Sequence, residues 1–339
     1  MQRLISSPLR LSLVAPCYNE AEGLDEFYRR TTDACRKVVD EDYEIVLVND
    51  GSRDNTLDVM RRLAEADPHV VVVNLSRNHG HQLALSAGLT ICRGDLILIV
   101  DADLQDPPEL LGGMLAMLNS TGADVVYGQR RQRAGETMFK NLTARIFYRL
   151  LRRLIDIEIP VDTGDFRLMT RRALDVLNSM PEHHRFIRGM VSWIGMRQAA
   201  LLYDREPRFA GSTNYPFAKM LRFAIDAITG FSVVPLRLAS CLGLVLGLLS
   251  MLMLAYTIGS WAFGHVVDGW TSMTTIVLII GSSQLLVLGM LGEYVGRIYI
   301  ESKRRPLFII ESIISEPTSD KGGAAKRIPG STDTNDIYA

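Results

Sequence analysis

Apolar positions in the first half of the chain follow two alternating patterns. Short runs rich in Val, Ile and Leu occupy 11–15, 43–48, 70–75, 95–100 and 124–127, and each ends in polar or turn residues. Such runs suit strands buried on both faces of a parallel sheet. Between them, 21–39, 55–66, 80–92 and 108–120 read as helices. Asp54 stands where it can cap the second helix, with Thr56 and Asp58 in its first turn. Pro107 and Pro108 suit the start of the fourth. The alternation predicts a doubly wound, Rossmann-like α/β sheet. Ligands of such a sheet sit beyond the carboxyl ends of its strands. The unusual residues gather at those ends, in Pro16-Cys-Tyr-Asn-Glu20, Asn49-Asp-Gly-Ser52 and Asp101-Ala-Asp-Leu-Gln105.

The second half is patterned differently. In 137–155, Phe139, Leu142, Ile146, Phe147, Leu150 and Leu154 recur at helical spacing, among Lys140, Arg145, Arg149, Arg152 and Arg153. The stretch 216–231 repeats the theme with Lys219 and Arg222. Each reads either as a helix lying on an anionic bilayer surface or as an ordinary core-facing or solvated helix. Neither 238–264 nor 271–292 contains Asp, Glu, Lys or Arg. As helices they reach about 40 Å and about 33 Å, against a hydrocarbon core of about 30 Å. Both are expected to span a membrane, the first with its Trp261 end at an interface.

Charge then fixes the expected orientation. Loop 265–270 has no Lys or Arg, whereas Arg237 precedes the first span and Arg297, Lys303, Arg304 and Arg305 follow the second. The positive-inside rule places both termini in the cytoplasm. Beyond about 315 the Ser/Thr/Asp/Gly-rich composition predicts a disordered tail. The expected organisation is an α/β domain over 1–215, a juxtamembrane helix over 216–235, a two-helix membrane module over 236–296 and a cytoplasmic segment over 297–339.

Composition narrows the classes. The charges all fall outside the two apolar stretches, which argues against both a purely soluble protein and a polytopic transporter. A net charge of -1 over 339 residues gives no global field for nucleic acid. Cys17, Cys35, Cys92 and Cys241 form no CxxC pair, against a zinc site or a disulfide framework and in keeping with a reducing compartment.

Candidate chemistry lies at the strand ends. Asp101 and Asp103 follow a buried run, and hard oxygen ligands there suit Mg²⁺ or Mn²⁺ held partly by substrate phosphates. Gln105 adds a neutral oxygen. The plain alternative is a solvated loop. Asp50 can accept a hydrogen bond from a base or ribose, the Tyr18 ring can cover a nucleobase, and Glu20 can bond a hydroxyl. Asp162-Thr-Gly-Asp165-Phe-Arg167 reads as a polar turn leading into a helix at 171–180. Arg130, Arg145, Arg188 and Arg208 suit phosphate, although each alone also reads as a surface charge. His79, His81, His183 and His184 read as structural or surface residues.

Taken in order, Pro16–Glu20, Asp50-Gly-Ser52, Asp101-Ala-Asp-Leu-Gln105, Asp162-Thr-Gly-Asp-Phe-Arg-Leu168 and the two apolar stretches resemble the family 2 glycosyltransferases that act on polyisoprenyl phosphate. The bactoprenol (undecaprenyl-phosphate) glucosyltransferase type is nearest, and dolichol-phosphate mannose synthase is more distant. The resemblance implies a GT-A fold and inverting transfer from a nucleotide-sugar to a lipid phosphate at the inner face of the bacterial cytoplasmic membrane. It implies that Pro16, Tyr18, Glu20, Asp50, Asp101 and Arg130 hold the nucleotide-sugar, and that Asp101, Asp103 and Gln105 hold Mg²⁺ or Mn²⁺. Asp165, Asp103 and Arg208 would lie at the reacting centre, and Arg145, Arg208 and Ser212 at the acceptor phosphate.

Glucose from UDP-glucose is the expected transfer. GlcNAc, galactose, an aminoarabinose derivative and mannose are the alternatives, and a non-catalytic membrane adaptor is the competing class. One departure stands out: Gly211-Ser-Thr-Asn-Tyr215 replaces the family's common Gly-Glu-Ser-Lys-Tyr, so closure over the phosphates differs in its charges. Membrane lipids are the expected surroundings. Gly289, Gly292 and Gly296 permit close helix packing, and the resemblance implies a homo-tetramer.

Overall fold

The computed structural model describes residues 11–131, 160, 163–204, 234–263 and 269–315. The expected helix at 137–155, most of the juxtamembrane segment, the tail beyond 315, and Arg145, Asp162, Arg208 and Ser212 lie outside the described residues. The first half matches the predicted alternation: β1 (Leu11–Cys17), α1 (Leu24–Val39), β2 (Tyr43–Asn49), α2 (Thr56–Ala66), β3 (Val70–Leu75), α3 (His81–Ile91) and β4 (Leu96–Ile99). A 3₁₀ turn at Pro108–Leu110 then opens α4 (Leu111–Thr121), and β5 (Val125–Arg130) follows.

Alternation within the strands divides the core. Leu13, Ala15, Ile45, Leu47 and Val72 face one side, with Phe27 of α1, Met60 of α2 and Met114 of α4. Val14, Val46, Val48 and Val73 face the other, with Leu85 and Leu89 of α3. Both faces are covered, so the strands read as continuous apolar runs. Helix α3 lies very close to the sheet. A Cβ added at Gly88 would stand 2.5 Å from Val14 Cγ1 and 2.8 Å from Val48 Cγ2.

The sheet is mixed rather than uniformly parallel. Its order is β7-β5-β6-β4-β1-β2-β3-β8, with β6 (Thr163–Thr170), β7 (Gln198–Tyr203) and β8 (Ile310–Ile314). Strand β6 is antiparallel to both β4 and β5, and β8 is antiparallel to β3. The polar residues and glycine of 162–167 predict a turn, but from Thr163 on the segment belongs to β6, where Asp165 and Arg167 are buried. Buried in the middle of the sheet, they pair with other charges. Two helices, α5 (Arg171–Ser179) and α6 (Ile187–Trp193), lie between β6 and β7.

Two long helices follow, α7 (Val234–Ala262) and α8 (Trp270–Ser302), and they pack against each other. Leu244, Leu248, Met251 and Leu252 of α7, and Leu285, Leu288 and Ile298 of α8, are exposed. Among the described residues, Ile279–Ser302 is long and apolar enough to cross a membrane, by length and composition. Helix α8 thus runs beyond the apolar stretch expected to end at 292, carrying an Arg297–Glu293 pair at 3.1 Å.

The end of α8 is tied to the α/β domain. The backbone N–H of His183 donates to Glu301 Oε1 at 2.8 Å, its Nδ1 lies 2.8 Å from Glu301 Oε2, and its Nε2 lies 2.7 Å from the Arg305 carbonyl. The chain then enters β8 and covers the outer edge of β3.

Two predictions follow from the packing and the tether. Gly88→Val forces two methyl groups into the Val14 and Val48 side chains and should cost about 1–3 kcal/mol of stability, read from unfolding of the detergent-solubilised protein in denaturant. The hydrogen bond to Glu301 raises the His183 pKa above its ordinary 6.5. A raised imidazole pKa contributes stability that is complete below about 6.5 and is lost as pH rises through the raised value. Thermal stability should therefore fall as pH rises above about 6.5 in the wild type and less so in Glu301→Gln; equal slopes would contradict it.

Candidate active site

Neighbouring strand ends assemble the crevice. Strands β4, β1 and β2 lie side by side and parallel, with Val14 beside Ile99 and Cys17 beside Asn49. Their carboxyl ends release Asp101–Asp103, Tyr18–Glu20 and Asp50–Ser52 on one rim. Strand β6 approaches from the opposite direction, with Leu98 beside Leu168 and Ile99 beside Arg167. Continuing that register by two residues sets Asp165 opposite Asp101. Asp165, which spacing alone reads as part of a turn and the resemblance puts at the reacting centre, thus stands beside the acidic pair.

Asp165 is buried, with its side chain 6% exposed. Its Oδ2 accepts a hydrogen bond from Gln82 Nε2 at 2.8 Å and lies 3.3 Å from His81 Nε2. Its Oδ1 lies 3.6 Å from Arg167 Nη2 and 3.5 Å from Arg188 Nη2. Burial alone would raise this carboxyl. The His81 hydrogen bond and the charges of Arg188, Arg167 and His81 outweigh it and hold Asp165 well below the usual carboxylate range. Burial in turn draws the Arg167 guanidinium down to about 10.

His81 corrects the sequence reading. It opens α3, its side chain is 44% exposed, and Nε2 lies 3.5 Å from Asp101 Oδ1 as well as beside Asp165. Burial would lower its pKa, but the Asp165 hydrogen bond and the charges of Asp101 and Asp165 raise it to about 9. The imidazolium bridges two carboxylates separated from it by many residues in sequence. His183 also has a tie, to Glu301, that spacing did not reveal.

Asp101 differs from Asp165. Its Oδ1 is buried and accepts no hydrogen bond. Burial raises its pKa to about 6, opposed by His81 and reinforced by the charges of Asp165, Asp106 and Asp103. Asp103 Oδ1 accepts the Gln105 backbone N–H at 3.1 Å. The turn between them forces Leu104 to φ 59°, left-handed for a residue with a Cβ, while its side chain is anchored in the core. That conformation costs about 1–2 kcal/mol. Among the described residues, no group of three or more His, Cys, Asp or Glu is set to hold a metal by itself. Two strand-end carboxylates, one with an unsatisfied buried oxygen, nevertheless suit Mg²⁺ or Mn²⁺, which commonly takes one or two carboxylates and completes its shell with water and phosphate.

On the other side of the rim, Asp50 is buried and accepts the backbone N–H of His79 at 2.7 Å and of Gly80 at 2.9 Å. Burial raises its pKa and these two bonds oppose that rise. Tyr18 is 42% exposed. The Glu20 N–H donates to Thr56 Oγ1, and Asp54 accepts from both Ala21 and Thr56, tying the 19–21 turn to the start of α2. Pro16 lies within β1, next to Val48. Arg130 lies 3.7 Å from Asp106 and donates to Tyr203 Oη at 3.3 Å, while the Tyr203 hydroxyl donates to Asp106.

The chain matches the model named Glycosyl transferase family 2 over residues 12–177. It is 44% identical to the uncharacterized glycosyltransferase YkcC of Bacillus subtilis, over 91% of this chain and 95% of that one. It is 38% identical to the bactoprenol glucosyl transferase of Shigella phage SfV, over 90% of this chain and 99% of that one. It is 37% identical to the prophage bactoprenol glucosyl transferase homolog of Escherichia coli strain K12, over 90% and 99%. The chain belongs to glycosyltransferase family 2. Among solved structures, the mannosyltransferase PcManGT from Pyrobaculum calidifontis in complex with GDP-Man and Mn²⁺ covers 86% of this chain and 88% of its own, at 18% identity and TM-score 0.41.

In this glycosyltransferase, the motifs mark the rim, and the fold adds the donors that surround Asp165 behind it. His81, Gln82 and Arg188 come from α3 and α6, and only their positions in the fold bring them to Asp165. Asp165→Asn should leave buried Arg167 beside Arg188 and His81 without its counter-charge. Breaking a buried pair costs about 3–5 kcal/mol. Unfolding in denaturant should show that loss, and His81→Gln, which removes a partly exposed partner, should show a smaller one. Wild-type stability in Asp165→Asn would contradict the charge balance.

Proposed function

We propose that the enzyme transfers glucose from UDP-glucose to undecaprenyl phosphate, with inversion, at the cytoplasmic face of the bacterial membrane. The observation that carries this reading is the similarity to bactoprenol glucosyl transferases, which extends over 90% of the chain and so past the family model into α7 and α8. In this reading both helices span the bilayer, with both termini inside and the short loop between them outside. The catalytic rim then stands at the headgroup level, where the acceptor phosphate lies.

The chemistry fits the residues. The leaving group is a nucleoside diphosphate, and Mg²⁺ or Mn²⁺ held by Asp101 and Asp103, with Gln105 beside them, would neutralise the charge that develops on it. Tyr18 offers its exposed ring to the base. Glu20 and Pro16 line the same edge, and Asp50 fixes the 79–80 backbone beneath it. Arg130, aligned by Asp106 and Tyr203, faces the phosphates. The acceptor is a phosphate monoester, already anionic near neutral pH, so transfer needs little help from a general base. Asp165, buried and held ionised by arginines, is poorly placed to remove a proton. Its role is to position His81 and the acidic rim at the reacting centre. Arg145, Arg208 and Ser212 are assigned to the acceptor phosphate, and assembly into a homo-tetramer would hold several such sites on the membrane.

Radiolabelled transfer tests the proposal. With UDP-glucose, undecaprenyl phosphate and Mg²⁺ or Mn²⁺, purified enzyme should form a lipid-linked glucose. Excess EDTA or Asp103→Asn should nearly abolish it, because losing a metal ligand removes several kcal/mol of charge stabilisation. Full turnover in either case would refute the metal assignment. Transfer from another nucleotide-sugar in preference to UDP-glucose would replace the donor. For topology, single cysteines at 268 and 320 in a cysteine-free background should label from outside intact cells at the first position and not at the second.

A further inference from the structure

A chain of polar groups runs from the amino end of β8, which is antiparallel to β3, across the carboxyl ends of β3 and β2; Asn74 and Asn49 in its middle are buried, Ser52 is half-buried, and Glu311 and Asn19 at its ends are exposed. Asn74 Nδ2 donates to Glu311 Oε2 at 2.8 Å. Asn49 Nδ2 donates to Asn74 Oδ1 at 2.7 Å. The Ser52 backbone N–H donates to Asn49 Oδ1 at 3.2 Å. Ser52 Oγ in turn accepts the Asn19 N–H at 3.1 Å, and Asn19 Oδ1 accepts the Arg53 N–H at 2.8 Å. The row joins the strand that follows the membrane helices to both loops on the nucleotide side of the rim.

The sense of this row is fixed at both ends. An ionised carboxylate only accepts, so Asn74 must turn its NH₂ toward Glu311 and its oxygen toward Asn49. A backbone N–H only donates, so Asn49 must turn its oxygen toward Ser52 and its NH₂ toward Asn74. The two requirements agree. Asn49 and Asn74 are both buried, so a reversed amide would leave donors facing donors with no water to separate them. The loop so held has little slack. Gly51 has φ +63°, and an added Cβ would stand 2.5 Å from Asn78 N. That segment also contains the His79 and Gly80 amides bonded by Asp50. Ile309, just before β8, supports it further: its carbonyl accepts the Ser76 N–H at 3.0 Å.

We propose that Glu311 is a positioning residue for the donor site, acting through Asn74 and Asn49 on the 50–52 loop. The strand behind the membrane anchor then completes the nucleotide pocket, instead of only covering a sheet edge. This rests on the reading of that rim as the nucleotide site.

The charge sense supplies the test. Glu311→Gln keeps an oxygen for Asn74 and should behave as wild type. Glu311→Lys presents only donors, reverses both asparagines and sets the Asn49 NH₂ against the Ser52 N–H. In full-length protein, its Kd for UDP with Mg²⁺ should rise about tenfold, and KM for undecaprenyl phosphate should stay within about twofold. Ile313→Lys, exposed on the same strand outside the row, should leave both unchanged. Hydrogen exchange gives a nucleotide-independent arm: the Ser52 amide should lose protection in Glu311→Lys and keep it in Glu311→Gln. Unchanged Ser52 exchange in Glu311→Lys overturns the proposal. So does equal loss of UDP affinity in Glu311→Lys and Ile313→Lys, which would mean simple edge damage. Failure of wild type to bind UDP would refute the donor-site reading, and the exchange arm would still decide the row.

Discussion

Asp165 carries a negative charge into a place with almost no access to water, and the crevice is organised around keeping that charge ionised. A buried lone carboxylate would simply take up a proton. Here Arg167 lies on the same strand, Arg188 on α6, and His81 and Gln82 at the start of α3. Four groups from three elements must be in place at once. Their cost in desolvation is several kcal/mol per ion, so the cluster favours one arrangement more than it adds net stability. The Gln82 amide carries the constraint further: its Oε1 accepts the Ile187 N–H at 2.8 Å, locking α6 to α3.

The same cluster leaves the rim beside it short of positive charge. His81 is shared between Asp165 and Asp101, so Asp101 keeps a buried oxygen without a hydrogen bond and a raised pKa. Asp103 is half-buried beside Leu104, the left-handed residue of the turn. A pair of carboxylates at one strand end fits a divalent cation of the Mg²⁺ or Mn²⁺ type. Because the described residues offer no third ligand set, phosphate oxygens of a substrate are the natural completion. Metal and donor binding would then be mutually dependent.

The two long C-terminal helices are tied to the domain that carries this site. Helix α8 ends at Glu301, tied to His183, and the chain then adds β8 to the sheet beside β3. A catalytic rim on a flexible linker would sample many heights above a bilayer. Two attachments on either side of a short connection restrict that freedom, as the proposed lipid-phosphate acceptor would require.

The periodicity of apolar residues determined the order of strands and helices from 11 to 130, because a strand buried on both faces announces itself locally. The acidic pair, Tyr18, Glu20 and Asp50 were also legible, since each directly follows such a strand. So were the uncharged lengths of the two C-terminal helices. Tertiary structure alone decided the rest. Strand β6 was hidden because Asp165 and Arg167 look like a solvated turn until their partners are known. His81 looked structural because its carboxylates lie far away in sequence. Strand β8 is short and half-exposed, and its antiparallel pairing with β3 has no sign in its own residues. In each case the deciding interaction is a long-range pairing of charges or hydrogen bonds. Such pairings have no period along the chain and exist only once the sheet register is set.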